Sequence, residues 1–139
     1  GATHCFDSRK NDTVEAIRDL TNGGVDFAID LAGVIAAMDT AYQIIRYGGS
    51  VVTAGLSPIN TKFSFNHSDL VAQEKSILGS YMGSCVPVRD VPRFLNLYLQ
   101  GRLPVDKLID GKISFDNLNE GFDKLSKGEV VRQILVPNG

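Results

Sequence analysis

One stretch, Gly23 to Gly33 (GGVDFAIDLAG), constrains the fold more than any other. Val25, Phe27, Ile29 and Leu31 alternate with Asp26, Ala28 and Asp30, the period-two pattern of a β-strand. Gly23 and Gly24 punctuate its start and Gly33 its end, and a helical pattern follows at once. A strand that stops at a glycine and turns into a helix is half of a βαβ unit. Open α/β sheets carry ligand sites beyond the carboxyl ends of their strands. Binding or chemistry is therefore expected near Leu31, Ala32 and Gly33, and not at Asp26.

The segments on either side repeat this alternation of strand and helix. Thr3 to Phe6 reads as a short strand. Asp12 and Glu15 are spaced as a capping box before a helix carrying Val14, Ile17 and Leu20, which Asn22-Gly23-Gly24 stops. Met38, Ala41 and Ile45 mark a second helix, ended by Gly48-Gly49. Its start at Gly33-Val34 offers no capping side chain, leaving the first amides open to water or a ligand. Ser50 to Leu56 and Ser76 to Met82 read as two further strands, with a short helix from Ser68 or Asp69 between them. Apolar runs in all three strands suggest a parallel sheet covered on both faces. Beyond it, Asp90 and Pro92 open a helix with Val91, Phe94, Leu95 and Tyr98 on one face. Lys112 to Phe115 reads as a strand, Asn117 and Glu120 as a second capping box, and Val131 to Val136 as the last strand. The fold class is α/β: a doubly wound parallel sheet followed by a small mixed tail.

Charge and composition narrow the function. Fourteen basic and sixteen acidic residues, with no basic run, argue against nucleic acid or an anionic membrane as partner. No apolar stretch approaches the roughly 18 residues that cross a bilayer. Cys5 and Cys85 make no disulfide framework, which suggests a reduced, cytoplasmic setting. Neither has a second cysteine or a suitably spaced histidine, so no zinc site of this chain's own is expected. His67, between Asn66 and Ser68, reads as a surface histidine in a polar loop.

Taken together, GATHCFDS, NGGVDFAIDLAG, YGGSVVTAGL, EKSILGSYMGS, NEGFDKL and GEVVRQIL resemble the zinc-type alcohol dehydrogenases of the medium-chain dehydrogenase/reductase superfamily, in order and spacing, over essentially the whole chain. The resemblance implies the C-terminal portion of such an enzyme. Residues 1–82 would be the later part of a Rossmann-type NAD(P)-binding domain, and residues 83–139 a segment returning to the catalytic domain. No G-x-G-x-x-G occurs here, as expected if the glycine-rich turn, the residue that selects NAD or NADP, and the zinc ligands lie upstream. The strand at Thr3–Phe6 would then lack its partner.

The resemblance also implies site residues. Leu31, Ala32 and Gly33 would lie against the adenosine half of the cofactor. Ala54, Gly55 and Leu56 would offer backbone to the nicotinamide and its ribose, and Ser80, Tyr81 and Met82 to the carboxamide. Arg132 would reach the pyrophosphate, where a guanidinium fork suits phosphate oxygens; an exposed strand arginine in a surface ion pair is the plainer alternative. Asp30 is expected to be structural rather than catalytic, and Cys85 an inert thiol. No catalytic residue and no metal ligand is expected in this chain. The implied reaction is hydride transfer between an alcohol or aldehyde and NAD or NADP, with zinc bound outside these residues and the portion inactive alone. Two other readings stand beside it: a free-standing dinucleotide-binding module, and a dimerisation piece that makes a homo-oligomer through the edge strand at Ser76 to Met82.

Overall fold

A computed structural model describes residues 1–137, so the last two residues of the expected segment 83–139 lie outside the description. The chain divides into two compact units, Gly1–Cys85 and a second that begins at Val86.

In the first unit, β1 (Val25–Asp30), β2 (Ile45–Thr53) and β3 (Ser76–Gly79) form a parallel sheet in that order. Parallel neighbours need a crossover, and α2 (Ile35–Ile44) and α3 (His67–Ala72) lie in the two connections. The core lies between α2 and one face of β1 and β2. Ile45 and Val51 are wholly buried, surrounded by Ala28, Met38, Ala41 and Tyr42. Helix α1 (Thr13–Leu20) packs on α2.

Cations close the carboxyl end of α2. Arg18 of α1 donates to the carbonyl oxygens of Gln43 (3.0 Å) and Ile45 (3.4 Å), and Lys75 Nζ donates to that of Tyr42 (3.2 Å). The last carbonyls of a helix have no partner within it, and positive charge suits that end of its dipole. Lys75 also lies 4.7 Å from the Tyr42 ring centroid. Burial, together with Arg18, pushes its amine below the usual lysine value, and Asp69 opposes them.

Several expectations are corrected here. Thr3–Phe6 forms no strand and is exposed, because β1 pairs only with β2 and no neighbour offers this segment a ladder. The sheet is not covered on both faces. Ala28 and Asp30 point inward, whereas Phe27 and Ile29 are 70% and 67% exposed, since α2 covers one face and no element of this unit covers the other. Asp12 and Asn117 stand at helix N-caps, but neither side chain makes a capping bond. At the first helix Thr13 instead donates its hydroxyl to the Asp7 carbonyl (2.7 Å). Ile45 belongs to β2 and not to the helix. Gly48 and Gly49 lie within that strand, where the register jumps from Val25↔Ile45 to Phe27↔Ser50 and the residues between bulge out. Strand β2 ends at Thr53, short of Leu56. Strand β3 stops at Gly79, where its pairing with Thr53 ends, and is mostly exposed; a 3-10 turn, Tyr81–Ser84, follows. His67 is the first residue of α3, whose N-cap Asn66 accepts from the Ser68 amide.

In the second unit, β4 (Gly111–Ile113) and β5 (Gln133–Leu135) pair in parallel, with α5 (Leu118–Ser126) between them in sequence. Gly121 of α5 sits where a Cβ would meet Ile113 at 2.8 Å, and its carbonyl accepts from Gln133. Both strands are shorter than the sequence suggested, because Phe115 opens a 3-10 turn and only three residues of each strand pair.

Helix α4 (Pro87–Leu99) starts three residues before Asp90. Pro87 takes the first helical position, where its missing N–H costs nothing, and Pro92 is accommodated inside. Asp90 is buried and accepts from the Val86 amide at 2.8 Å. The Arg89 guanidinium, then that amide, hold its carboxyl at about 2, below the ordinary 3.8. A depressed carboxylate stabilises the fold above its unfolded value, and the contribution is lost as pH falls through the folded value. Asp90→Asn should therefore lower the melting temperature at neutral pH, and the gap to the parent should close between pH 3.8 and about 2. A gap that stays constant through that window in thermal melts would rule this out.

Candidate functional site

The carboxyl ends of the three parallel strands bring Leu31–Gly33, Ala54–Leu56 and Ser80–Met82 onto one end of the sheet. Asp30, the last residue of β1, organises the first two. It is only 5% exposed. One carboxylate oxygen accepts from the Ala32 amide (3.0 Å) and the other from the Thr53 hydroxyl (2.9 Å). Its carbonyl oxygen accepts from the amides of Ala54 (2.8 Å) and Gly55 (3.2 Å). One residue thus ties the exit of β1 to the exit of β2.

The two exits touch through backbone. A Cβ on Gly55 would fall 2.1 Å from the Gly33 nitrogen, and one on Gly33 would fall 2.7 Å from the Leu56 carbonyl oxygen. Gly33 also has φ +67°, a left-handed conformation that glycine adopts without a Cβ penalty. Ser57 closes the contact by donating to the Gly33 carbonyl at 2.7 Å. From this joint Leu31 (75% exposed) and Leu56 (78%) point outward.

The third segment is anchored by the Ser80 amide, which donates to the Thr53 carbonyl (2.9 Å). The chain then turns through Met82, Gly83 and Ser84, all at positive φ, with the Ser80 and Ser84 hydroxyls 3.1 Å apart. Two of these three are not glycine, so the turn stores backbone strain. Tyr81 and Met82 are exposed beside it. A cavity of about 410 Å³ lies between Thr53–Leu56 and Gly79–Tyr81, and one of about 560 Å³ runs from Leu31 and Ala32 along β1 and α2 to Ser8. What this end of the sheet offers a ligand is mostly backbone amides and carbonyls with apolar side chains around them. Helix α2 starts there, its N-cap Val34 making no side-chain capping bond.

Arg132 lies in the second unit, just before β5. Asp110 fixes its backbone: the Arg132 amide donates to the carboxylate (2.9 Å), and the Asp110 amide donates to the Arg132 carbonyl (2.8 Å). The residue lines a cavity of about 330 Å³ with Leu118, Phe122 and Leu125 of α5. Among the described residues its guanidinium enters no salt bridge. Asp26, where no site was expected, is exposed and pairs with Arg46.

Among the described residues no group of three or more His, Cys, Asp or Glu is placed to hold a metal ion, and no helix is long and apolar enough to cross a membrane. Both cysteines are free, Cys5 exposed and Cys85 half-buried. Sequence reasoning missed the clamp made by Asp30 and Thr53 and the left-handed turn at Met82–Ser84. The signal for the clamp was present. Asp30 shares the inward parity of Ala28, but the apolar alternation draws attention to the opposite parity. For the turn only Gly83 gave a hint.

The sequence profile of the family described as zinc-binding dehydrogenase matches residues 1–100. Alcohol dehydrogenase 1 of Cenchrus americanus is 33% identical over 122 residues, covering 87% of this chain and 32% of that protein. The crystal structure of benzyl alcohol dehydrogenase from Acinetobacter calcoaceticus superposes with a TM-score of 0.90 at 32% identity, covering 97% of this chain and 37% of that one. A crystal structure from Sinorhizobium meliloti, described as a zinc-binding dehydrogenase bound to NADP, gives 0.81 at 31% identity over 99% of this chain and 40% of that one. The chain spans between 32% and 38% of the length of the curated relatives it matches.

The contact between the two exits can be tested directly. A methyl group at Gly55 meets only backbone, which cannot rotate away, whereas Gly48 (φ +69°) has open space around it. In urea denaturation Gly55→Ala should cost about 3 kcal/mol and Gly48→Ala, which meets only the penalty of a Cβ at left-handed φ, about 1 kcal/mol. Equal losses would mean that the joint yields.

Proposed function

The chain belongs to the zinc-binding dehydrogenase family, and on that premise we propose that it acts as the C-terminal portion of an NAD(P)-dependent alcohol dehydrogenase. Its fold is that of the Rossmann-type part of such enzymes. Residues 1–82 are taken as the later part of the cofactor domain and 83–139 as the segment that returns to the catalytic domain. The observation that carries the proposal is the convergence of Leu31–Gly33, Ala54–Leu56 and Ser80–Met82 at the carboxyl ends of one parallel sheet, the place where such sheets bind dinucleotides.

In this reading Leu31, Ala32 and Gly33 pack on the adenosine half of the cofactor. Ala54, Gly55 and Leu56 offer backbone to the nicotinamide ribose and ring, Ser80, Tyr81 and Met82 offer it to the carboxamide, and Arg132 meets the pyrophosphate. The nicotinamide supplies the hydride acceptor for alcohol oxidation or the donor for aldehyde reduction. This chain binds and orients; it contributes no proton-transfer group. Among the described residues no group of three or more His, Cys, Asp or Glu is placed to hold a zinc ion; in this reading the metal of the family is held by residues outside this chain, and no step here runs through it.

The bare Phe27 and Ile29 and the unpaired edge of β1 support a longer protein, because side chains of this size are normally covered. The second reading, a module that pairs with a copy of itself, is favoured by the free edge of β3, where only one side of Ser76–Gly79 is paired. The two are compatible if the whole enzyme is a homo-oligomer. A cytoplasmic location accords with the two free thiols.

The test is the intact mass of the natural protein, with alcohol oxidation followed by nicotinamide absorbance. A polypeptide well above 15.0 kDa that reduces NAD or NADP with an alcohol is expected. A natural polypeptide of 15.0 kDa that binds NADH tightly by itself would overturn the proposal in favour of a free-standing module.

A further inference from the structure

We propose that Asp30 is a positioning residue for the dinucleotide, setting the two strand exits at the separation the cofactor must find. This rests on the cofactor reading above. Asp30 is not itself a proposed contact of the cofactor. It is buried beneath that surface, and its three oxygens take four donors: the amides of Ala32, Ala54 and Gly55, and the Thr53 hydroxyl. Two of these donors, Ala54 and Gly55, lie in one proposed contact segment, and Ala32 lies in another.

The arrangement is directional. The carboxylate bends the β1 exit back over its own strand end through Ala32, and reaches sideways to β2 through Thr53. The carbonyl holds the first two residues after Thr53. With those bonds made, Gly33 and Gly55 are forced into backbone contact, and each exit limits the movement of the other. A site built from backbone groups has no side-chain rotamers with which to correct an error of placement. Its precision comes from what lies underneath.

Asparagine separates a geometric role from a role of charge. Its Oδ1 accepts from the Ala32 amide, and its Nδ2 donates to the Thr53 hydroxyl, which can also accept. Alanine makes neither bond. The probes are NADH and NADPH, each titrated by its own fluorescence into the natural full-length protein, the one that binds then being used for the variants, with thermal melts in parallel. Asp30→Ala should weaken its binding by about tenfold or more, Asp30→Asn by no more than about threefold, and Thr53→Val by an intermediate factor. Val51→Ala is the control: it removes methyl groups from a wholly buried core position, so it lowers the melting temperature while leaving both exits bonded.

Loss of affinity in Val51→Ala equal to that in Asp30→Ala, at equal loss of melting temperature, would overturn the proposal, as would unchanged affinity in a folded Asp30→Ala. If Asp30→Ala does not fold, Thr53→Val decides, and unchanged affinity there counts against the clamp. Amide NMR of the nucleotide-free protein distinguishes failure of the cofactor reading. The Gly33 and Gly55 resonances should move far more in Thr53→Val than in Val51→Ala. If the parent binds neither NADH nor NADPH, the cofactor reading falls, and the positioning role for a dinucleotide falls with it, while the resonances still report whether the mechanical clamp exists.

Discussion

The first unit depends on α2 lying across β1 and β2 over Ile45 and Val51, its two wholly buried side chains. A parallel sheet cannot be closed by a hairpin, so a crossover helix must be held against it. Here the hold has two parts. Apolar contact beneath Met38, Ala41 and Tyr42 supplies the burial, and Arg18 with Lys75 satisfies the carbonyls that the helix end leaves open. The helix then hands the chain straight into β2, since Ile45 both follows α2 and opens the strand. That abrupt junction has a cost in regularity. The strand must bulge through Arg46–Gly49 before it comes into register with β1 at Ser50, and Gly48 takes a left-handed conformation to allow it.

Only one face of the sheet receives this treatment. Phe27 and Ile29 project from the other face, and among the described residues the outer edge of β1 carries no partner strand. The chain spans about a third of the length of the relatives it matches. The apolar character of Phe27 and Ile29 is a property of the residues, whereas their exposure depends on which elements lie beside the strand. The sequence pattern is therefore a local signal, while burial is decided by neighbours.

That difference explains what could be read from the residues and what could not. The α/β class, β1, the helix after Gly33 and the order of elements were legible, because glycine punctuation and period-two alternation are local signals. Family resemblance, not local pattern, pointed to the strand exits after β2 and β3. What failed depended on neighbours. Thr3–Phe6 has strand-forming residues and no strand to pair with. Ile45 fits the helical spacing but is taken by the sheet, where it is wholly buried. The capping side chains of Asp12 and Asn117 were inferred from spacing alone, and spacing does not say whether water is the better partner. Asp30 was legible as structural, but its reach to Thr53 required knowing which strand lies beside it.

The strand exits show why such a site leaves a faint trace in sequence. Where backbone meets backbone, as at Gly33 and Gly55, the only side-chain requirement is that there be none. In the proposed site, where backbone groups would do the binding, the exposed neighbours Leu31 and Leu56 need only be apolar enough to border a ligand. Specific chemistry withdraws one layer, to the buried carboxylate of Asp30 and the hydroxyls of Thr53 and Ser57 that fix the exits from below. A buried polar group of this kind is costly unless each of its oxygens is used, and here each of Asp30's oxygens has a donor. The residue that looks least functional by exposure is the one on which the geometry of the surface rests.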